Sequence, residues 1–335
     1  MKHLRITVLV SVLLAACTSA PTVAELPERQ DMRDFMAEMV RRHDFNRAQL
    51  EAWFRQARVR RDIIDAISRP AESKPWYQYR PIFLKPSRIE GGVAFWNDNA
   101  DLLERAERIY GVPPQIITAI LGVETRYGRH QGGYRVMDSL VTLAFNYPPR
   151  AEFFKSELEQ YLLLTREEGV DPLAMTGSYA GAMGQTQFIS SSFRHYAIDF
   201  DGDGKRDLWN NTADAVGSIA NYFKVHGWER GGAVTVPASV SGNRYEALVE
   251  KGLKPSIRVA ELKRRGVQPQ GALSDKDLGA LIELEQKAGH EYWVGLQNFY
   301  VITRYNHSPL YAMAVYQLSE EIRALRDQRL ARGAR

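Results

Sequence analysis

The sequence predicts an α+β fold that is predominantly α-helical. Apolar residues recur with helical spacing along most of the chain, prolines and glycines separate these segments, and only residues 233–273 alternate like short strands. With 335 residues, 44% of them hydrophobic and 25% charged, the chain has room for about two domains of roughly 150 residues each. This composition excludes a disordered or collagen-like chain.

The N-terminal segment has the composition of a secretory signal. Lys2 and Arg5 precede an apolar run over residues 6–16, which is too short to span a membrane. The run ends in Leu-Ala-Ala before Cys17, an order that resembles the lipobox of bacterial lipoproteins, where the cysteine is acylated and the chain is cut before it. The alternative is a plain signal peptide with an incidental cysteine, although a free thiol is a liability in an exported protein.

Cysteine usage and charge exclude several classes of protein. The single cysteine rules out an intramolecular disulfide and a cysteine-rich zinc site. Removal of residues 1–16 leaves 42 basic against 40 acidic side chains, without a block of like charge, so we expect no nucleic-acid partner. No later segment is apolar over 18 residues, and we therefore expect membrane attachment through a lipid only.

Helical patterns begin after a linker at residues 17–30. Helices are predicted over residues 31–42, 45–57, 62–67, 92–110, the segment after Pro114, and residues 139–145, 151–169, 212–226 and 291–326. Proline is well suited to the first helical position, which is why Pro114 marks a helix start. Residues 233–273, with their glycine-bounded alternation, are expected to form short strands of a small β-containing subdomain.

The helix after Pro114 places a carboxylate on its apolar face. The positions i, i+3, i+4 and i+7 of this face are Ile117, Ile120, Leu121 and Glu124. Apolar surroundings disfavour the charge of Glu124, as does a helix C-terminus, which Gly128 is expected to mark, and both would raise its pKa. A protonated glutamic acid suits general-acid cleavage of a glycosidic bond. The alternative is a structural ion pair with Arg126 or Arg129.

Two further segments are candidates for ligand binding. Residues 177–188 (GSYAGAMGQTQF) combine glycines, which allow close backbone approach, with neither helical nor strand periodicity. The hydrogen-bonding side chains of this segment are Ser178, Gln185 and Gln187. A second set, near the C-terminus, consists of Tyr305, Asn306 and Tyr311. Its rings and amide suit pyranose faces and N-acetyl groups. For residues 177–188 the alternative is an irregular connection without a ligand, and for the C-terminal set it is ordinary packing.

These motifs together resemble those of the membrane-bound lytic murein transglycosylase B family of bacterial peptidoglycan-cleaving lipoproteins. The matching segments are GVETRYG (122–128), FNYP (145–148), GSYAGAMGQTQF (177–188), ANYFKVHGW (220–228) and YWVGLQNFYVITRYN (292–306). The similarity covers about residues 76–318. It implies a lysozyme-like core with flanking helical and small β domains. The boundaries we expect are 31–110 for an N-terminal helical domain, 111–230 for the core, 231–290 for the β-containing subdomain and 291–335 for a C-terminal helical segment that completes the cleft.

The resemblance implies cleavage of the β-1,4 bond between N-acetylmuramic acid and N-acetylglucosamine without net hydrolysis. The muramoyl 6-hydroxyl would attack its own anomeric carbon and leave a 1,6-anhydro end. Glu124 matches the family's single acid/base, and since no second acidic residue stands beside it, the 2-acetamido group is expected to serve as internal nucleophile. Two alternatives remain, a hydrolytic muramidase and a non-catalytic peptidoglycan-binding lipoprotein. No organic cofactor is expected.

The resemblance also implies which residues line the glycan cleft. They are Tyr79, Ser178, Gln187, Tyr305, Asn306 and Tyr311. Arg150 follows two prolines at a position where family members can carry two arginines in a row, and it is assigned to the substrate with them. Thr18 lacks the Asp that resembles an inner-membrane retention signal, so the expected location is the outer membrane, facing the periplasm. We expect a monomer acting on peptidoglycan glycan strands.

Residues 199–207 (DFDGDGKRD) match the first half of an EF-hand calcium loop. The ligand positions 1, 3, 5 and 7 hold Asp199, Asp201, Asp203 and the carbonyl of Lys205. Position 12 holds Asn210 in place of a bidentate Glu. Related transglycosylases close this site with a later Asp, for which Asp214 is the candidate, one residue beyond the expected spacing. A structural Ca²⁺ is therefore expected, and the alternative is an acidic turn that binds weakly or not at all.

Overall fold

The computed structural model describes residues 28–69 and 74–333. The predicted signal peptide (1–16) and Cys17 lie outside these residues, as does most of the linker. The chain divides into two compact units, residues 1–55 and 56–335. Within the described ranges, no helix has the length and apolar character needed to span a bilayer.

The first unit is helical. Its elements are α1 (Gln30–His43) and α2 (Arg47–Gln56), which ends at the unit boundary. Asp44 ends α1 in the left-handed conformation, and its N–H donates to the carbonyls of the last turn. The rings of Phe35 and Phe54 meet edge to face at 6.0 Å, so the two helices share an apolar contact.

The second unit contains the remaining elements. Its helices before the sheet are α3 (Arg61–Ile67), α4 (Trp76–Phe83), α5 (Pro86–Asp98), α6 (Ala100–Tyr110), α7 (Pro114–Thr125), α8 (Val136–Asn146), α9 (Ala151–Glu167), α10 (Ser190–Tyr196) and α11 (Thr212–Val225). Two short strands, β1 (Tyr134–Arg135) and β2 (Thr176–Gly177), pair antiparallel. Helix α7 packs against α5, α6, α11 and a C-terminal helix, so it occupies the centre of the helical layer.

One predicted helix is two in the structure. The interval 92–110 was expected to be continuous, but α5 ends at Asp98 and α6 starts at Ala100. Asn99 between them has φ −125° and ψ 28°, and its Nδ2 donates to the carbonyl of Phe95 at 2.8 Å. Asparagine side chains compete with the backbone for such bonds, which accounts for the break.

The β-containing region extends further than predicted. It contains β3 (Thr235–Val240), α12 (Glu246–Val249), β4 (Ile257–Arg258), α13 (Val259–Arg264), β5 (Val267–Pro269), β6 (Leu278–Glu285) and β7 (His290–Gly295). The strands form one antiparallel sheet in the order β4-β6-β7-β3-β5. The prediction that a helix starts at Glu291 is wrong. Residues 290–295 instead form a strand that pairs with β6 and places Trp293 opposite Ile282.

The C-terminal segment is also interrupted. Helices α14 (Gln297–Tyr305) and α15 (Pro309–Gly333) replace the single helix expected over 291–326. The Asn306 side chain accepts from the N–H of Ser308 at 3.2 Å, and Ser308 Oγ accepts from the N–H of Tyr311 at 3.3 Å. These bonds satisfy the backbone where α15 begins. They also fix Tyr311 in the first turn of a 25-residue helix.

Candidate active site

Glu124 lies in the last turn of α7. Ile117, Ile120 and Leu121 on the same face are fully buried, and Glu124 is half-buried. The helical spacing therefore predicted correctly which stripe carries the carboxylate. Four carbonyl groups at a helix C-terminus lack intrahelical partners, so Glu124 sits near the negative end of the helix dipole.

The end of α7 has an unusual backbone. The helix stops at Thr125, before the predicted Gly128, and both Arg126 (φ 51°) and Tyr127 (φ 63°) adopt the left-handed conformation. That conformation costs roughly 1–2 kcal/mol for a residue with a Cβ, so neighbouring contacts must hold it. Thr125 Oγ1 accepts from the N–H of Gly128 at 2.9 Å and donates to the carbonyl of Gln185 at 3.1 Å.

Tyr127, which was not among the residues predicted from the sequence, packs where the end of α7 meets α5. Its ring occupies a space bounded by three glycines, since an added Cβ at Gly91, Gly92 or Gly122 would lie within 2.9 Å of a Tyr127 atom. The hydroxyl donates to the carbonyl of Arg88 at 2.6 Å, and burial raises the pKa of Tyr127. Glycines inside helix patterns, where they lower stability, were the available signal.

Tyr311 contacts Glu124 directly. Its hydroxyl, on a side chain that is almost fully buried, donates to Glu124 Oε1. Burial and the negative charge of Glu124 raise the pKa of Tyr311 well above its ordinary value, so the phenol stays a neutral donor. Arg126 and Arg129, the alternative partners for Glu124, form no salt bridge within the described residues. The structural ion pair considered from the sequence is therefore wrong.

Tyr305 joins the glycine-rich segment to the aromatic core. Its hydroxyl donates to the carbonyl of Thr186 at 2.6 Å. Its ring lies 5.0 Å from the ring of Tyr222 and 5.6 Å from that of Phe188. Burial raises the pKa of Tyr305 well above its ordinary value, and the charge of Glu124 adds to the effect. Tyr305 is therefore close enough to Glu124 for the negative charge of the carboxylate to disfavour ionisation of the phenol.

Ser178 and Gln187 hold the irregular segment 177–188 in shape. Ser178 Oγ accepts from the backbone N–H groups two and four residues later, at 3.2 and 3.0 Å. Gln187 has φ 51°, and its Nε2 donates to the carbonyls of Gly184 at 2.9 Å and Gln131 at 3.1 Å. Both side chains thus have a structural role, which the sequence had offered as the alternative to ligand binding.

Tyr79 and Asn306 lie close to this group. Tyr79 is buried in α4, with its ring 5.1 Å from that of Phe83, and it contributes to the raised pKa of Tyr311. Asn306 is half-buried between α14 and α15. Tyr311 therefore contacts Glu124, Tyr305 and Tyr79 lie near this pair, and Asn306 directly follows Tyr305.

Arg150 stands outside this group of contacts. It is exposed in the 3₁₀ turn Pro148–Arg150, with its guanidinium 4.3 Å from the centre of the Phe153 ring and 5.3 Å from that of Phe154. No contact within the described residues joins it to Glu124. Its assignment to the substrate stays a prediction.

The acidic loop brings three predicted ligands together. Asp199, Asp201 and Asp203 each offer a carboxylate oxygen, and these oxygens lie within 4.8 Å of one another. The N–H groups of Gly202, Asp203 and Gly204 donate to Asp199, and these bonds lower its pKa. Clustered hard oxygens with little neutralising charge fit a calcium ion.

Asp214 is not part of that group of three. It is fully buried, and its two oxygens accept from the N–H groups of Phe200 at 2.7 Å and Asp207 at 2.8 Å. Burial raises its pKa, which the two hydrogen bonds partly oppose. Asp214 therefore links both ends of the loop to the start of α11. The N–H of Lys205, another predicted ligand, donates to Asp203 Oδ1 at 2.9 Å.

A half-buried carboxylate that accepts from a buried tyrosine, at the end of a helix in a helical core, is the arrangement expected of a glycosidic-bond-cleaving enzyme of the lysozyme-like class. The chain matches the family model of the transglycosylase SLT domain over residues 27–320. It is 42% identical to membrane-bound lytic murein transglycosylase B of Escherichia coli K12, over 95% of this chain and 96% of that protein.

Solved structures show the same relationship. Soluble lytic transglycosylase SltB1 from Pseudomonas aeruginosa is 52% identical, with a TM-score of 0.83 over 88% of this chain and 98% of that one. Escherichia coli Slt35, solved in complex with calcium, is 43% identical, with a TM-score of 0.81 over 89% of this chain and 94% of that one. The chain therefore belongs to the SLT family of lytic transglycosylases, enzymes that cleave the glycan strands of peptidoglycan. It is an enzyme and not a non-catalytic binding protein.

Proposed function

We propose that this enzyme cleaves the β-1,4 bond between N-acetylmuramic acid and N-acetylglucosamine and leaves a 1,6-anhydromuramoyl end. The observation that carries this proposal is the placement of Glu124, on an apolar helix face with Tyr311 donating to its Oε1. Further support comes from a relative, Pseudomonas aeruginosa SltB3, which is 32% identical and was solved in complex with NAG-anhNAM-pentapeptide.

In the proposed reaction, Glu124 acts first as acid and then as base. The protonated carboxyl gives its proton to the glycosidic oxygen as the bond to the anomeric carbon breaks, while the 2-acetamido oxygen attacks that carbon. The carboxylate then takes the proton of the 6-hydroxyl, whose oxygen displaces the acetamido group. Glu124 is reprotonated and no water is consumed. Tyr311 would orient the carboxyl group, and Tyr79, Tyr305 and Asn306 would contact the sugars.

Analysis of the products tests this proposal. Purified sacculi are incubated with the wild type and with Glu124→Gln, and the released muropeptides are identified by mass spectrometry. We expect anhydro ends from the wild type and at least a 100-fold loss of rate in the variant, since acid/base catalysis contributes about 10²–10⁴-fold. Reducing muramic ends would identify a hydrolytic muramidase instead. Unchanged turnover in the variant would show that Glu124 is not the acid.

We also propose that Cys17 anchors the enzyme by lipid to the outer membrane and that Asp199, Asp201, Asp203, Lys205 and Asp214 serve a structural Ca²⁺. The membrane-bound relative and the calcium complex of Slt35 support these proposals. The ion would hold the acidic loop together and would take no part in the chemistry. Cys17→Ala is expected to move the protein from the membrane to the soluble fraction, and a variant that still sediments with membranes would contradict the anchor.

A further inference from the structure

A basic cavity of about 270 Å³ lies between the start of α5 and the segment that follows α7. Its basic lining residues are Lys85, Arg88, Arg126, Arg129 and His130, and no acidic residue lines it. Four of these side chains are cationic at any physiological pH. The cavity is smaller than the roughly 300–1,000 Å³ of drug-sized ligand sites, and it suits one small charged group.

Arg88 is the buried member of this set. Only 8% of the residue is exposed, and its Nη1 is buried without a hydrogen-bond partner within the described residues. The guanidinium lies 5.2 Å from the centre of the Phe83 ring, an apolar neighbour. Burial, followed by the charge of Arg126, lowers the pKa of Arg88. A buried guanidinium without a counter-charge is costly, and such groups are normally paired.

The neighbouring cations are not neutralised by the protein either. None of Lys85, Arg126 and Arg129 forms a salt bridge with a described residue. Cations at a helix C-terminus do interact favourably with the helix dipole, but the partial charge of α7 is only about −0.5. Lys85 directly precedes α5 and Arg88 lies in its first turn, where the dipole has the opposite sign. The fold alone therefore leaves most of this positive charge uncompensated.

We propose that the cavity binds an oxyanion, such as a carboxylate or a phosphate group. Arg88 would be the buried anchor, and the exposed side chains of Arg126 and Arg129 would close on the anion from the rim. Guanidinium groups match the planar, bidentate geometry of such ligands. Tyr127 also lines the cavity and holds the end of α7 through its bond to the Arg88 carbonyl.

The site lies next to the chemistry. Arg126 is two residues from Glu124, so their Cα atoms are at most about 7.6 Å apart. The anion therefore has two possible sources, a carboxylate carried by the peptide of the substrate or a free inorganic ion. The proposal of an anion site does not depend on the proposed function, because its first test measures binding in the absence of glycan.

Thermal unfolding tests the site with inorganic phosphate as the probe, against sodium chloride at matched ionic strength. We expect phosphate to raise the Tm of the wild type in a saturable manner. Arg126→Gln/Arg129→Gln, which changes exposed side chains only, should lose most of that rise, and Arg88→Met should lose it as well. The exposed Arg329→Gln is the control and should respond like the wild type. The absence of a phosphate-specific rise in the wild type, or an equal rise in the double variant, would overturn the proposal.

A second experiment identifies the source of the anion once binding is shown, and it rests on the proposed function. KM is measured on glycan strands with and without their peptides. If the substrate supplies the carboxylate, KM for peptide-bearing strands should rise about tenfold more in the double variant than KM for stripped strands. A tenfold change corresponds to the loss of about one charge-assisted hydrogen bond. Equal changes in KM on both would assign the site to a free ion. Failure of the proposed reaction would leave the thermal result unaffected.

Discussion

Replacement of Gly122 by alanine tests whether Tyr127 fixes the end of α7. An added Cβ would lie 2.7 Å from Tyr127 Oη and 2.9 Å from its Cε1 and Cζ. The ring cannot withdraw freely, because its hydroxyl is bonded to the Arg88 carbonyl at 2.6 Å and the backbone of Gly91 lies against it. The substitution therefore forces the ring, and with it the left-handed end of the helix, to move.

The expected loss of stability follows from two opposing effects. Overpacking of a well-packed site costs about 1–3 kcal/mol, and contacts shorter than 3 Å to a held ring favour the upper part of that range. Replacement of glycine by alanine within a helix stabilises the folded state by about 1 kcal/mol and so offsets part of this cost. The net destabilisation is about 1–2 kcal/mol, which lowers the Tm by roughly 2–8 °C in a domain of this size. Activity should fall as well, since Glu124 is two residues away.

The assay combines thermal unfolding with turnover of sacculi. Gly133→Ala is the matched control, because nothing lies within 4 Å of its added Cβ, and its Tm should stay the same or rise slightly. Tyr127→Phe removes the atom nearest to the new Cβ, so the double variant Gly122→Ala/Tyr127→Phe should lose less stability than the sum of the single variants. A rise in Tm for Gly122→Ala would refute the reasoning, because helix propensity alone would then explain the result.

Two further predictions concern charge. Millimolar CaCl₂ should raise the Tm of the wild type but not that of Asp201→Ala/Asp203→Ala, and an equal rise in both would argue against the ion site. The hydrogen bond from Arg194 lowers the pKa of Glu167 in the folded protein. The pair therefore stabilises the fold fully at pH values above the pKa of Glu167 in the unfolded chain, about 4.3. This stabilisation is lost as the pH falls through the lower pKa of the folded protein. Glu167→Gln should therefore lower the free energy of unfolding at pH 7 by less than about 1 kcal/mol, because the carboxylate is 38% exposed, and the Tm should fall accordingly. This difference should vanish near pH 3, and its persistence there would contradict the assignment.

Local periodicity accounts for what the sequence predicted well. Helices α1, α7 and α11 lie within a few residues of their expected bounds, because each combines apolar residues at helical spacing with clear flanking signals. The same spacing located Glu124 on the buried stripe. Strand β7 was missed because it is short and directly precedes α14, so the aromatic residues at its centre were assigned to the helix.

The missing parts of the site depend on contacts that no local pattern records. The bond from Tyr311 to Glu124 joins residues 187 positions apart. The resemblance assigned Tyr311 to the glycan cleft but did not predict this partner. The left-handed backbone at Arg126 and Tyr127 is rare for such residues and is stabilised by packing against α5. The resemblance likewise gave Asp214 as the candidate that closes the calcium site, but it did not predict the hydrogen bonds by which Asp214 ties the acidic loop to α11.

The bond between α15 and Glu124 also has a consequence for the order in which the site forms during folding. Glu124 and Tyr311 are 187 positions apart in the sequence, so the carboxylate acquires this partner only after α15 has packed onto α7. Until then the carboxylate has no phenol to hold it, and the apolar face of α7 lacks the helix that covers it. A chain whose synthesis stops before residue 311 would therefore carry the acid without the group that orients it. We expect such a fragment to be inactive and prone to aggregate.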